Sequence, residues 1–345
     1  MTDTAAVGTA PAAASTPNRI DRLLSEIDAI IAADETADRR ITGAWKSFDD
    51  INAAANAHAW DAYSIDLSVD AASYRNLDRR QRHALLRIFA TIYRAESVVD
   101  DWMDRIVAAI PGGNDALRTA LKGQEHDEKM HRGSLSRVAT EVLGIAPGDI
   151  ESLAKKHNNF VAETLFTRFN RQMTQLLRPN RPLEDVYTAI FIYGILSEDV
   201  IANSDVVIRR AKGNDKYLEY NLPGMREGQT NVRRDEGRHV RIAVLACHEF
   251  LDRHAAAAAR LTAASTENLD LADNMLRQAK RSHGLIDAHL RDSYGPDVDS
   301  LYYYLVNMKR LAVRLDELGL SGAVQDIRTR VDRAVEAFTD EQHRP

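Results

Sequence analysis

Two short stretches, Asp127-Glu128-Lys129-Met130-His131 and Asp235-Glu236-Gly237-Arg238-His239, repeat one pattern in this 345-residue chain: paired acids, with a histidine three residues after the second. The spacing alone is weak. With 51 acids and 11 histidines, an acid falls three residues before a histidine about 1.6 times by chance, and the chain has three cases. The third, Asp340 with His343, lies in the C-terminal tail and is set aside. Position gives the other two their weight, because each interrupts a long run whose apolar residues recur at steps of three and four, the signature of a helix with one buried stripe. Over 114–143 the stripe reads Leu117, Leu121, Gln124, Glu128, His131, Leu135, Val138, Val142. Over 223–254 it reads Met225, Gln229, Val232, Glu236, His239, Ala243, Ala246, Phe250.

Two further runs carry a lone glutamate at mid-stripe: Glu96 between Ile92 and Val99 on 78–110, and Glu198 between Gly194 and Ile201 on 183–211. Glu163, near Phe160 and Phe166 on 150–178, competes for the second place. Glu198 is preferred because two helices and a loop fit between it and Glu236. Buried unpaired carboxylates cost several kcal/mol each unless neutralised, and two divalent cations would neutralise four. Glu-x-x-His on two helices with a lone Glu on each of two others is the ligand set of a carboxylate-bridged dinuclear iron or manganese site in a four-helix bundle. The expected metal ligands are therefore Glu96, Glu128, His131, Glu198, Glu236 and His239. Asp127 and Asp235, beside the ligands, can accept the outward N–H of a histidine on the facing helix.

The rest of the chain agrees with an all-α protein. It has only 17 Gly, 9 Pro and 6% aromatic residues against 44% hydrophobic ones. Residues 1–17 read as a disordered tail and 18–340 as a single helical domain, with the metal-binding bundle at about 78–254. A helical run over 18–55, in one piece or two, precedes it, an irregular stretch covers 60–76, and runs over 266–292, 297–318 and 321–339 form C-terminal helices. A net charge of −6 leaves no basic footprint for nucleic acid or an anionic membrane. The single cysteine, Cys247, excludes an intramolecular disulfide and fits the cytoplasm. No apolar stretch approaches the ~20 residues of a membrane span, and the N-terminus lacks signal-peptide character.

The string Trp60, Asp66, Asp70, Tyr74, Leu77, followed by Glu96 and the two Asp-Glu-x-x-His motifs, resembles the ribonucleotide reductase small subunit and its relatives over roughly residues 55–255. The resemblance implies a ferritin-like four-helix bundle with additional N- and C-terminal helices, the same six ligands, and an electron route from Trp60 through Asp235 to His131. It departs from the reductase subunit itself at two places. Leu135 stands where that subunit has its radical tyrosine, and the last tyrosine, Tyr304, lies well before the C-terminus.

The sequence is more similar to the ligand-binding oxidases of the same superfamily, which hold a fatty-acid-like ligand and a manganese/iron or di-iron site. Their valine three residues after the first glutamate and tyrosine five before the third, joined by an oxidative ether crosslink, correspond to Val99 and Tyr193; Leu222-Pro223-Gly224-Met225 also resembles theirs. Five residues of ideal helix would turn Tyr193 ~140° away from Glu198, so it reaches the metals only through a π-bulge.

The resemblance implies an O2-activating dinuclear oxidase or monooxygenase (Fe/Fe or Mn/Fe) with O2 as co-substrate, an external electron donor and a homodimeric assembly. Leu135, Ile201, Val232 and Ala243 are expected to shape a pocket for a small, partly apolar substrate, with Asp205 meeting the substrate or backing the ligands. Two alternatives remain. One is a di-iron N-oxygenase of natural-product biosynthesis, whose extra ligand histidine would stand at Val232. The other is a reductase-like radical subunit or an iron-storage protein.

Overall fold

Every regular element among the described residues (19–42, 45–157, 160–213, 215–282 and 284–342) of this computed structural model is helical. The proposed tail at 1–17 lies outside them. In chain order the helices are α1 (Arg19–Thr42), α2 (Phe48–Ala57), α3 (Ser68–Asn76), α4 (Arg79–Ala109), α5 (Asp115–Arg137), α6 (Ile150–His157), α7 (Phe160–Leu176), α8 (Leu183–Ile190), α9 (Asn203–Ala211), α10 (Lys216–Glu219), α11 (Pro223–Arg253), α12 (Ala257–Arg281), α13 (Leu285–Tyr294), α14 (Ser300–Glu317) and α15 (Ser321–Gln342). A π turn, Val138–Val142, extends α5, and a longer π segment, Phe191–Ala202, joins α8 to α9. No described helix is long and apolar enough to cross a membrane.

The bundle consists of α4, α5, the continuous rod from α8 through α9, and α11, with α4 against α5 and α11 against both α5 and the π segment. The stripe on α5 is buried as its spacing predicts: Leu117, Leu121, Gln124, Glu128, His131 and Leu135 all face inward. Local chemistry sets where the helices start. Asp78 accepts from the Gln81 backbone N at 2.8 Å and Gln81 Oε1 accepts from the Asp78 backbone N at 2.9 Å, a reciprocal cap on α4.

Three sequence expectations need correction. The stretch 60–76 is not irregular throughout, because α3 occupies its second half and has a structural task. Asp70, fully buried on α3, accepts from the Gly224 and Met225 backbone N atoms at 2.9 and 2.7 Å and so caps α11. Gly224 is needed there, since a Cβ would lie 2.4 Å from the Asp66 carbonyl oxygen. The run placed at 266–292 starts earlier, at Ala257, and is broken by Gly284 at φ +80° into α12 and α13. The run 183–211 does not keep a helical period of 3.6, because twelve of its residues form the π segment.

That segment presses closely on α11. A Cβ on Gly194 would lie 2.4 Å from Ala243 Cβ. Gly194→Ala is therefore expected to lower stability by about 1–3 kcal/mol through overpacking, read from the midpoint of chemical denaturation.

Candidate metal centre

Six side chains from the four bundle elements converge in two groups: Glu96, His131 and Glu236; and Glu128, Glu198 and His239, each group with its ligand atoms within 4.8 Å of one another. Both histidines turn Nδ1 inward. His131 Nδ1 lies 3.4 Å from Glu128 Oε2, 3.5 Å from Glu96 Oε2 and 3.8 Å from Glu236 Oε1. His239 Nδ1 lies 3.3 Å from Glu128 Oε1 and Glu236 Oε2 and 3.6 Å from Glu198 Oε1. Glu128 and Glu236 thus each reach both histidines and could serve both halves of the site, while Glu96 and Glu198 lie near one histidine each.

The outward faces of the rings are held by the acids that precede the glutamates, and the two motifs do this for one another. His131 Nε2 meets Asp235 Oδ2 at 3.1 Å, and His239 Nε2 meets Asp127 Oδ2 at 3.1 Å. Once Nδ1 gives up its proton, a carboxylate on Nε2 keeps the remaining one there and leaves Nδ1 as the lone-pair donor that a metal requires. Trp60 Nε1 donates to the same Asp235 oxygen at 2.7 Å, and its ring stacks on His131 at a 6.3 Å centroid distance, so Trp60, Asp235 and His131 form an unbroken chain.

Two participants escaped the sequence reading. Arg238, 2% exposed, donates through Nη2 to Asp127 at 2.9 Å and to Asp235 at 2.7 Å and ties both supporting acids together. Its place inside the second motif was the available signal. Gln124, one turn before Glu128 on the same stripe, donates weakly to Glu198 at 3.4 Å.

Burial dominates the electrostatics. It pushes Glu96 up to about 8 despite the neighbouring His131, and raises Glu198 well above the carboxylate range together with the charge of Glu236. Burial would raise Glu128 as well, but the close, charged ring of His131 and the charge of His239 overcome it and hold Glu128 at about 2. On the histidines burial opposes the charged ring, yet the carboxylates outweigh it and raise both well above the usual imidazole value. One observation separates this cluster from an ordinary buried ion-pair network. His131 Nδ1 is buried among carboxylates without a hydrogen-bond partner. Four carboxylates and two inward Nδ1 atoms form an oxygen-and-imidazole donor set that fits two iron or manganese ions.

The other candidates divide. Glu163 is not at the centre: Arg94 holds it by Nε at 3.2 Å and Nη2 at 2.9 Å. Tyr193 is at the centre, because hydrogen bonding from i to i+5 in the π segment brings it to the face that α-helical geometry would deny it. Its hydroxyl donates to Glu128 Oε1 at 2.5 Å. Val99, buried on α4, lines a cavity of about 570 Å³ that also opens on Glu96, Glu128, Glu198 and Glu236. Of the four residues expected to shape that pocket, Ile201 and Val232 line it. Leu135 packs instead among Phe89, Val138 and Met225 in a separate core cluster, and Ala243 is taken up by the contact with Gly194. The spacing put these two on an inward face, but the face is shared between the cavity and the helix contacts on either side of it. Asp205 belongs to α9, and its side chain lies outside the described residues.

No protein-family model matches this sequence, and no curated protein matches it. Solved structures do. R2-like ligand-binding oxidase with an aerobically reconstituted Mn/Fe cofactor superposes at a TM-score of 0.60 and 18% identity, over 79% of this chain and 93% of that one. A variant of such an oxidase with a reconstituted Fe/Fe cofactor gives the same score and identity over 94% of its chain. This chain has the fold of the R2-like ligand-binding oxidases. At 18% identity, what it shares with the R2-like structures is the arrangement of helices, a ferritin-like bundle with flanking helices.

Proposed function

We propose that this protein is an O2-activating dinuclear metal oxidase, with Fe/Fe or Mn/Fe bound by Glu96, Glu128, His131, Glu198, Glu236 and His239. The observation that carries the reading is the paired Glu-Glu-His geometry around two inward Nδ1 atoms, one of them unpartnered. Bound there, the metals would supply the electrons that reduce O2. The chain's own groups do the rest. Asp127 and Asp235 hold the imidazoles in the coordinating tautomer. The chain from Trp60, which is half-buried, offers a path for electrons from an external donor. The predominantly apolar cavity would admit a small, partly apolar organic substrate; its volume of about 570 Å³ suits one molecule of that size. A homodimer in the cytoplasm remains part of the proposal. The radical-subunit alternative is not favoured, since Leu135 offers no redox-active side chain.

Tyr193 and Val99 add a self-oxidation. Loss of the Tyr193 O–H hydrogen and one Val99 C–H hydrogen, with two electrons passing to O2, would join them by an ether bond. One experiment tests both claims: the protein is loaded with metal without air, exposed to O2 and weighed by mass spectrometry. O2 consumption and a mass loss of two hydrogens, with a linked Val99–Tyr193 peptide, are expected. No O2 consumption sinks the oxidase reading, whereas uptake without a linked peptide sinks the crosslink alone.

A further inference from the structure

The cavity beside the metal centre is lined on its other side by helices outside the bundle, and this wall carries a polar feature that metal binding does not explain. Asn268 on α12 and Asn307 on α14 both line it, and they are 9% and 8% exposed. Their amide orientations are fixed by chemistry. Asn268 Nδ2 donates to the Ala264 carbonyl at 2.8 Å, and Asn307 Nδ2 to the Tyr303 carbonyl at 2.7 Å. A backbone carbonyl only accepts, so the atom facing it in each case is the nitrogen, and the amide oxygen points elsewhere. For Asn268 that oxygen is buried and has no hydrogen-bond partner. A buried acceptor left unpaired is costly, and a small turn of the amide toward the cavity would let a ligand donor remove that cost.

We infer that Asn268 and Asn307 form an acceptor subsite on the cavity wall that binds the hydrogen-bond donor of an otherwise apolar substrate, a neutral group such as an alcohol hydroxyl. The remainder of the lining sets the class. Leu269, Leu276, Leu290 and Met308 make the surrounding wall apolar. Arg87, Arg209 and Arg233 also line the cavity and disfavour a cationic donor such as an ammonium group. The substrate is thus fixed at two places, by the metals at the glutamate face and by the asparagines on the C-terminal helices. The C-terminal segment, which carries none of the metal motifs, acquires the role of selecting the substrate.

This rests on the oxidase reading only in taking the cavity as the substrate cavity, and its test is independent of turnover. Binding of 1-octanol and of 1-methoxyoctane to the metal-loaded protein is compared by ligand-observed NMR. The two probes differ in that only the alcohol donates. The alcohol is expected to bind about tenfold more tightly, as one buried hydrogen bond allows. In Asn268→Leu the preference is expected to disappear while the melting temperature stays equal or rises, because the unpaired acceptor is gone. A purely structural asparagine would instead lower the melting temperature and leave the preference unchanged. Equal binding of the two probes to the unaltered protein overturns the inference. So does a preference that survives Asn268→Leu, since the hydroxyl would then sit elsewhere, as at the metals. Should Asn268→Leu fail to fold, Asn307→Leu must reduce the preference for the inference to stand. Loss of O2 consumption with the preference intact would overturn the oxidase reading and leave the subsite in place.

Discussion

Anaerobic loading followed by elemental analysis is expected to return about two metals per chain, and Glu128→Ala or His239→Ala is expected to lower that number to one or fewer. Glu128 has the larger predicted effect because its two oxygens lie 3.4 and 3.3 Å from the two histidine Nδ1 atoms, so its loss damages both positions. His239→Ala removes one nitrogen donor and also frees Asp127, which Arg238 continues to hold at 2.9 Å.

Metal uptake should also release protons and strengthen as pH rises. Metal binding needs Glu96 and Glu198 ionised and both Nδ1 atoms unprotonated, whereas burial holds Glu96 up to about 8 and Glu198 above the carboxylate range, and the carboxylates hold both imidazoles above their usual value. The stability of the metal-free fold should run the other way. Burial raises Glu96 above its unfolded value, so the unfolded chain binds fewer protons between the ordinary carboxylate range and about 8, and this group's contribution falls as pH rises through that window. The difference in melting temperature between loaded and metal-free protein is therefore expected to widen from pH 6 to pH 8. A difference that stays constant, or unchanged stoichiometry in the two variants, would remove the metal site.

The convergence of the six candidate ligands was legible because a helix converts sequence spacing into direction. Glu128 and His131 share a face whatever surrounds them, and an apolar stripe marks that face as inward. The same logic reached Asp127 and Asp235 but not the full role of Arg238: its pairing with Asp235 three residues earlier is local, whereas its second partner, Asp127, lies on another helix and leaves no trace in spacing. Tyr193 marks the limit on the other side. Its distance from Glu198 argued against the site under α-helical periodicity, and only the π segment, stabilised by its burial against α11, reverses that. Leu135 and Ala243 failed for a related reason: an inward stripe is a few residues wide, and which members meet the cavity depends on the neighbours. The subsite at Asn268 and Asn307 belongs to helices whose sequences carry no motif, so nothing short of the packed structure could relate them to the glutamates.

The largest stability loss is expected from Asp199, the residue after Glu198. Asp199 is 1% exposed and accepts from Arg310 Nη2 at 2.5 Å and Arg314 Nε at 2.6 Å, while Arg310 Nε donates to its backbone carbonyl at 3.1 Å. The two guanidiniums, themselves 2% and 5% exposed, continue to Asp34 and Glu35 on α1. Asp199 thus locks the ligand-bearing π segment to α14 and α1. Burial alone would raise its carboxyl, but the charges of Arg314 and Arg310 pull it down to about 2. Its folded value lies below the unfolded one, so its contribution, roughly 2 kcal/mol, is present above the ordinary carboxylate range and is lost as pH falls through about 2. Asp199→Ala costs more than that contribution, because it leaves two buried cations short of a partner; about 3–5 kcal/mol is expected from the denaturation midpoint. Breaking the exposed pair of Lys129 and Glu125 on α5 should cost less than about 1 kcal/mol. If the two losses were equal, Asp199 would have no special place in holding the segment. If Asp199→Ala also lowers metal content in the folded fraction, the network acts through Glu198 as well as through stability.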